Sequence, residues 1–344
     1  MTSADAAHSA LLMLTNPEVL VFLVFGATFG FVVGVVPGIS GLFAMAMAVG
    51  FLYGMEPATG IVFLMAAHAT VAQGGGLTAI LFSIPGTGQN AATLLDGPPM
   101  RDRGEGGVAV GAAMTACFFG ATFGAVSLAL LIPILRELVL TFGPSEIFLI
   151  SLLGLIFVAV LGGRDLQRAI IAGLFGLFLA MIGTENASYQ PRFTFGVETL
   201  TDGLSLVPLV LGLFAVAEMM QLWERGGRLL PDDVQAPNLR TRQAQLLLGG
   251  KLAIRNWWLI ARCSTIGTVM GLIPGLGSAP ASFVAYGHAR QFSKVRDEFG
   301  TGCVEGVIAP EAANDAVEGG ALASTVAFGV PGSSSMAILL TGIT

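Results

Sequence analysis

Two short clusters of small polar residues, each set behind a Pro-Gly pair, are the residues of this sequence best suited to hold a small anion. Pro85-Gly86 is preceded by Ser83 and followed by Thr87-Gly88-Gln89-Asn90, while Pro331-Gly332 is followed by Ser333-Ser334-Ser335. Proline and glycine break helices and free backbone N–H groups at the break, and the start of a helix carries about +0.5 charge. Such N–H groups, helped by hydroxyls and amides, bind a carboxylate without a basic side chain. That matters because residues 78–97 and 324–342 contain no Lys or Arg. The candidate anion-binding set is Ser83, Thr87, Gly88, Gln89, Asn90, Gly332, Ser333, Ser334 and Ser335. The competing reading is a pair of kinked helices whose polar side chains bond to neighbouring helices.

A second group could hold a cation. Glu311, Asn314 and Asp315, flanked by Glu305 and Glu318, fall in a stretch expected at membrane depth, where an unpaired charge costs about 2.5–3.5 kcal/mol. Several together point to a water-lined or ion-binding surface, and hard cations such as sodium take oxygen ligands of this kind. A sodium ion near Asn314 is therefore expected, unless 303–318 is a solvated loop. Gly38-Ile-Ser40-Gly41 also fits the short string of an intramembrane serine protease, with His68 as the available base. His68 itself reads first as a hydrogen-bonded core residue and only second as a proton carrier. Cys117, Cys263 and Cys303 show no zinc spacing and read as packing residues, so no metal or organic cofactor is expected beyond the coupling ion.

The elements that must position these residues are apolar helices. The chain is 54% hydrophobic and 11% charged, with a mean hydropathy of +0.80, against about a quarter charged in soluble domains. This is the composition of an all-α polytopic membrane protein. A net charge of −6 without a basic tract excludes nucleic acid as a partner. A span needs about 20 apolar residues, and the candidates are 18–35, 39–53, 58–73, 107–131, 146–162, 168–183, 203–222, 256–272, 276–290 and 303–318, with re-entrant helical hairpins at 77–96 and 321–342. Gly26, Gly30, Gly34 and Gly38 form a small-residue stripe for close helix packing.

The chain repeats itself. Phe82 and Pro85 match Phe328 and Pro331 at an offset of 246 (328 − 82, 331 − 85), and Gly34-Val-Val-Pro37-Gly38 recurs as Gly271-Leu-Ile-Pro274-Gly275 at 237 (274 − 37). Pro37, Gly38, Pro85, Gly86, Pro274, Gly275 and Pro331 are the expected helix breaks. Short loops rich in Lys and Arg stay inside, which places Arg101/Arg103, Arg164/Arg168, Arg225/Arg228/Arg240/Arg242 and Arg290/Lys294/Arg296 in the cytoplasm. Threading the chain through these loops makes the two copies an inverted pair, with hairpins entering from opposite sides. Paired broken segments are the sequence mark of a transporter's binding site. The expected division is a first repeat at 1–222, a linker at 223–250 and an incomplete second repeat at 251–344, since the first copy continues for more than a hundred residues beyond its hairpin.

Several long motifs in order resemble the large membrane subunit of the tripartite tricarboxylate transporter family. They are Gly34-Val-Val-Pro37-Gly38, Thr78-Ala-Ile-Leu-Phe-Ser-Ile-Pro85-Gly86-Thr87, Asp96-Gly97-Pro98-Pro99-Met100, Arg192-Phe-Thr-Phe195-Gly196, and Ala309-Pro310-Glu311-Ala-Ala-Asn314-Asp315 followed by Gly329-Val-Pro331-Gly332-Ser333. The chain departs from that pattern at Gln73-Gly74-Gly75-Gly76 and at Asn314-Asp315, where paired asparagines are usual. The resemblance implies a multi-pass subunit of a bacterial inner-membrane importer for carboxylates such as citrate. It also implies a small membrane subunit and a periplasmic binding protein as partners, a sodium or proton gradient as driving force, an elevator-like movement of the hairpins, and a missing C-terminal portion. Against it stand the protease reading and a docking subunit that moves no solute.

Overall fold

The computed structural model describes residues 9–36 (except 11), 41–141 (except 53), 166–184, 190–204 (except 202) and 239–343 (except 275), with isolated positions between. The expected spans 146–162 and 203–222 lie almost wholly outside the described residues, as do Pro37, Gly38, Ser40 and Gly275. Helix dominates the described residues. One two-residue antiparallel pair, β1 (Gly183–Thr184) with β2 (Pro191–Arg192), is the exception.

The first helices are α1 (Pro17–Val35), α2 (Gly41–Gly50) and α3 (Pro57–Phe82). Asn16 starts α1 by accepting from the Glu18 N–H, and Glu56 starts α3 by accepting from the Thr59 N–H, each with proline at the first helical position, where its missing donor costs nothing. Helix α3 is continuous through Gln73-Gly74-Gly75-Gly76, so the expected segment 58–73 and the first arm of the hairpin at 77–96 form one helix. Past Pro85-Gly86, where a second helical arm is expected, the chain forms two 3₁₀ turns, Gly88–Asn90 and Ala92–Leu95. After them come α4 (Gly106–Thr141), which contains Pro133, and α5 (Leu166–Ala180).

Helix α6 (Leu239–Arg255) occupies part of the stretch expected as a linker. It lies along α4, with Gly249 against the Val108 carbonyl and Gly111 against the Leu246 carbonyl. Then follow α7 (Trp257–Gly271), α8 (Ser278–Phe292), α9 (Val304–Phe328) and α10 (Ser334–Ile343). Helix α9 is the most enclosed, buried along most of its length, and it joins the expected span 303–318 to the first arm of the second hairpin.

The order α1-α2-α3 returns as α7-α8-α9, and the contacts return with it. A side chain at Gly30 or Gly34 would strike the carbonyls of Ala67 and Val71; one at Gly267 or Gly271 would strike those of Ala313 and Val317. The offsets are 237 for the glycines (267 − 30, 271 − 34) and 246 for the carbonyls (313 − 67, 317 − 71). Backbone thus meets backbone in both helix pairs, the close approach that small residues permit. Both long helices end on a residue in the left-handed region, Ser83 (φ 57°) and Gly329 (φ 64°). Beyond that point Gly86 packs on Gly75 and Thr78, and Gly332 packs on Ala321 and Ser324.

Among the described residues, three stretches are long and apolar enough to cross a membrane: Pro17–Val35, Pro57–Phe82 and Gly97–Leu135. Their lipid-compatible faces are rich in exposed side chains such as Val21, Val24, Phe118 and Leu130. This is a membrane protein.

One carboxylate ties the chain across the repeat. Asp96 is fully buried; its Oδ1 accepts from the N–H groups of Gly300, Gly302 and Cys303 at 2.9, 2.8 and 2.7 Å, and its Oδ2 accepts from the Tyr286 hydroxyl at 2.9 Å. These donors belong to the loop that starts α9, where unpaired N–H groups need an acceptor. Arg103 reinforces the tie by donating to the carbonyls of Thr301 and Gly302.

Candidate functional site

An open cavity of about 690 Å³ lies between the two copies. Its walls are Thr87-Gly88-Gln89 from the first Pro-Gly loop, Ser333-Ser334-Ser335 from the second, Gly41-Leu42 at the start of α2, Leu276 to Pro280 at the start of α8, and His68, Val71 and Phe283. The starts of α2, α8 and α10 and of the 3₁₀ turn at Gly88 therefore open onto one space. Among the described residues, no Lys or Arg lines it. The contributions are paired: Gly41 corresponds to Ser278 at 237 (278 − 41), and Thr87 to Ser333 at 246 (333 − 87).

Six of the nine expected anion-binding residues line this cavity: Thr87, Gly88, Gln89, Ser333, Ser334 and Ser335. Ser83, Asn90 and Gly332 do not. The Ser83 hydroxyl accepts from Arg101 Nη1 at 3.1 Å, and the same nitrogen donates to the Leu81 carbonyl at 2.8 Å, so Arg101 closes the C-terminal end of α3. Gly332 is packed on Ala321, and its N–H donates to the Thr325 hydroxyl. The 3₁₀ turn points Asn90 inward, fully buried.

Asn90 meets the acidic face of α9. Glu311, buried, accepts from Thr93 Oγ1 at 2.5 Å, from Asn90 Nδ2 at 3.2 Å and from the Cys117 thiol at 3.2 Å. One turn on, Asn314 and Asp315 are buried as well, and neither Asn314 side-chain atom nor Asp315 Oδ2 has a hydrogen-bond partner. Buried polar atoms without partners are costly, and these three belong to two of the residues expected to hold a cation. Glu311, with its three donors, is engaged by protein groups.

A further turn along, Glu318 reaches the cavity wall. Its Oε2 lies 2.8 Å from His68 Nε2, and its Oε1 accepts from Ser278 Oγ at 3.2 Å. His68 and Ser278 both line the cavity. The pair joins α3 of the first copy to α9 of the second. His68 is thus turned toward a carboxylate, and Ser40, its expected partner in the protease reading, lies outside the described residues.

Comparison with known proteins decides what kind of protein carries this site. The family model described as "Tripartite tricarboxylate transporter TctA family" matches residues 20–344. The chain belongs to the TctA family. Within it, the chain is 32% identical over 325 residues to "Uncharacterized 52.8 kDa protein in TAR-I ttuC' 3'region" of Agrobacterium vitis, an alignment covering 94% of this chain and 63% of that protein. A second Agrobacterium vitis protein, "Uncharacterized protein in TAR-II ttuC' 3'region", is 37% identical over 74 residues, 22% of this chain and 31% of that one. The chain therefore spans just under two thirds of the length of the first of these relatives. No solved structure matches it. TctA proteins form a transporter family, which fits a non-enzyme.

Two features of this TctA chain escape a reading of the sequence. Glu318 is legible as an acidic residue at membrane depth, but nothing local pairs it with a histidine 250 positions earlier (318 − 68). Asp96 reads as a turn residue in Asp96-Gly97-Pro98, and its backbone partners lie some two hundred positions on.

Proposed function

We propose that this chain is the transmembrane subunit of a secondary active carboxylate importer, and that its substrate sits in the cavity between the two Pro-Gly loops. One observation carries the reading: several helix starts, two of them in matching positions of the repeat, face a single space that no Lys or Arg enters among the described residues. Each such end favours a nearby negative charge by about 0.3–1 kcal/mol, more where partly buried. The hydroxyls of Ser333 to Ser335 and the amide of Gln89 supply directional hydrogen bonds to a di- or tricarboxylate such as citrate, while the Thr87 hydroxyl donates to Asn90 Oδ1 at 2.6 Å and shapes the loop. Charge beyond what dipoles balance is offset by a co-bound cation, for which the unpartnered oxygens of Asn314 and Asp315 are the available ligands.

The substrate comes from a periplasmic binding protein, and a small membrane subunit completes the transporter in the bacterial inner membrane. A sodium or proton gradient drives uptake. The first copy at 1–222 and the second at 251–344 are opposed in the membrane, and the re-entrant Pro-Gly segments 77–96 and 321–342 carry the substrate in an elevator-like step between the two sides. The test uses the complete transporter, purified and titrated with citrate. Replacing Gln89 and Ser334 together by Ala removes two donors to a charged ligand, each worth about 1.5–3 kcal/mol, so affinity falls by about a hundredfold or more. An unchanged affinity in the double variant refutes the placement of the substrate.

A further inference from the structure

Among the described residues, the pair His68–Glu318 brings titratable side chains from both copies together at the cavity wall. We propose that this pair is the proton-binding site that couples carboxylate binding to a proton gradient, an inference that rests on the function proposed above. The geometry supplies three elements. His68 Nε2 and Glu318 Oε2 lie 2.8 Å apart, close enough to share one proton. The His68 side chain is 5% exposed and that of Glu318 is 17% exposed, and His68 and Ser278, which flank the carboxylate, line the cavity. Ser278, at the start of α8 on the cavity rim, holds the second Glu318 oxygen at 3.2 Å, which fixes the carboxylate in place while Oε2 faces the imidazole.

The chemistry is a proton equilibrium in which no other bond changes. One proton from water joins the pair and converts a net charge of −1, glutamate beside neutral histidine, into a net charge of zero. The same proton leaves to water when the substrate departs. A carboxylate entering a cavity without basic residues repels the unprotonated pair and tolerates the protonated one. Proton and carboxylate therefore favour each other's binding by the same factor, as linkage requires. The surrounding elements add few competing charges. Helices α2 and α10 and the loop 83–90 contain no titratable residue, His68 is the sole one on α3, and α8 carries Tyr286, His288 and Arg290 two turns or more beyond Ser278. On α9 itself Asp315 and Glu311 lie about one and two turns back, and Glu311 is engaged by Thr93, Asn90 and Cys117.

The experiment is calorimetric titration of the complete, purified transporter with citrate at about pH 7, where histidine titrates, in two buffers of different ionisation enthalpy. The citrate's own protonation is subtracted. The wild type takes up about one proton per citrate, and its affinity falls by about 5–150-fold when the pH is raised well past neutrality. Glu318→Gln, which imitates the neutral pair, binds citrate as the protonated wild type does, without proton uptake and without pH dependence. His68→Gln leaves the carboxylate unpaired opposite the incoming substrate and binds citrate more weakly than the wild type. A structural bridge would change stability in both variants and leave proton uptake untouched. Binding by the wild type with no proton taken up, or proton uptake that persists in Glu318→Gln, overturns this inference and leaves the carboxylate site standing. Failure of the wild type to bind citrate, succinate or tartrate overturns both.

Discussion

Replacing Asp96 tests the tie between the two copies, and the hydrogen bonds set the expected order of effects. In Asp96→Ala the N–H groups of Gly302 and Cys303, both in buried residues, lose their acceptor, while Gly300 is exposed and turns to water. Each buried unsatisfied group costs about 1–3 kcal/mol, and deleting one side of a buried charged network costs about 3–5 kcal/mol. A loss of about 3 kcal/mol follows. Asp96→Asn is different, because all three N–H groups point at one oxygen, which the amide retains. The replaced atom faces only the Tyr286 hydroxyl, which can accept as readily as donate. That variant gives up charge assistance alone, about 1 kcal/mol. The assay is maleimide labelling of Cys303, whose residue is 4% exposed in the native structure, alongside thermal unfolding in detergent. Local opening weakened by about 3 kcal/mol speeds labelling about a hundredfold in the Ala variant and only a few-fold in the Asn variant. Labelling at the wild-type rate in Asp96→Ala refutes the reasoning. An Asn variant as damaged as the Ala one would show that charge, and not the shared acceptor, holds the loop.

Gly271→Ala places a methyl group against the Val317 carbonyl and lowers the unfolding midpoint, at a cost of about 1–3 kcal/mol. Gly287→Ala on α8 meets no atom within 4 Å and raises stability by about 0.5–1 kcal/mol; equal midpoints for the two variants would argue against backbone contact between α7 and α9. Asn90→Ala leaves Glu311 with one donor fewer and destabilises the protein by about 1–3 kcal/mol, read by thermal unfolding. Because Asn90 is turned away from the cavity, citrate binding in that variant falls far less than in the Gln89/Ser334 double variant.

The glycine stripe and the two Pro-Gly loops were legible because their signal is local. Small residues every four positions mark a close helix contact, and Gly26, Gly30 and Gly34 each face a carbonyl of α3. The polar residues behind each Pro-Gly pair reach the cavity except Asn90, the last residue of its 3₁₀ turn, whose side chain is buried against Glu311. Continuity of α3 was hidden by Gln73-Gly74-Gly75-Gly76, since glycine has the weakest helix preference apart from proline. In a membrane, however, the helix is the conformation that satisfies the backbone, and here the glycines serve contact. Gly74 meets the backbone of Gly34, Gly75 meets Asn90 and Thr87, and Gly76 meets Glu311. Helix α6 was concealed by its polarity, because a charged stretch between apolar spans reads as a linker until a groove such as that of α4 receives it. Asp96 and the His68–Glu318 pair depend on partners about two hundred or more positions away, which no local pattern announces.

The paired walls of the cavity carry a consequence for how such a site could arise. A single copy of the repeat holds half of it, so an unfused ancestor would have needed a second molecule, and a two-fold axis would have made both halves alike. Joined in one chain, the halves are free to differ, and they do. Thr87-Gly88-Gln89 stands opposite Ser333-Ser334-Ser335, Gly41 opposite Ser278, and at the position of His68 in the first copy the second has Asn314. A symmetric cleft cannot distinguish the two ends of its guest. The walls of this cavity differ, so the proposed carboxylate site would seat a lopsided molecule in a single orientation.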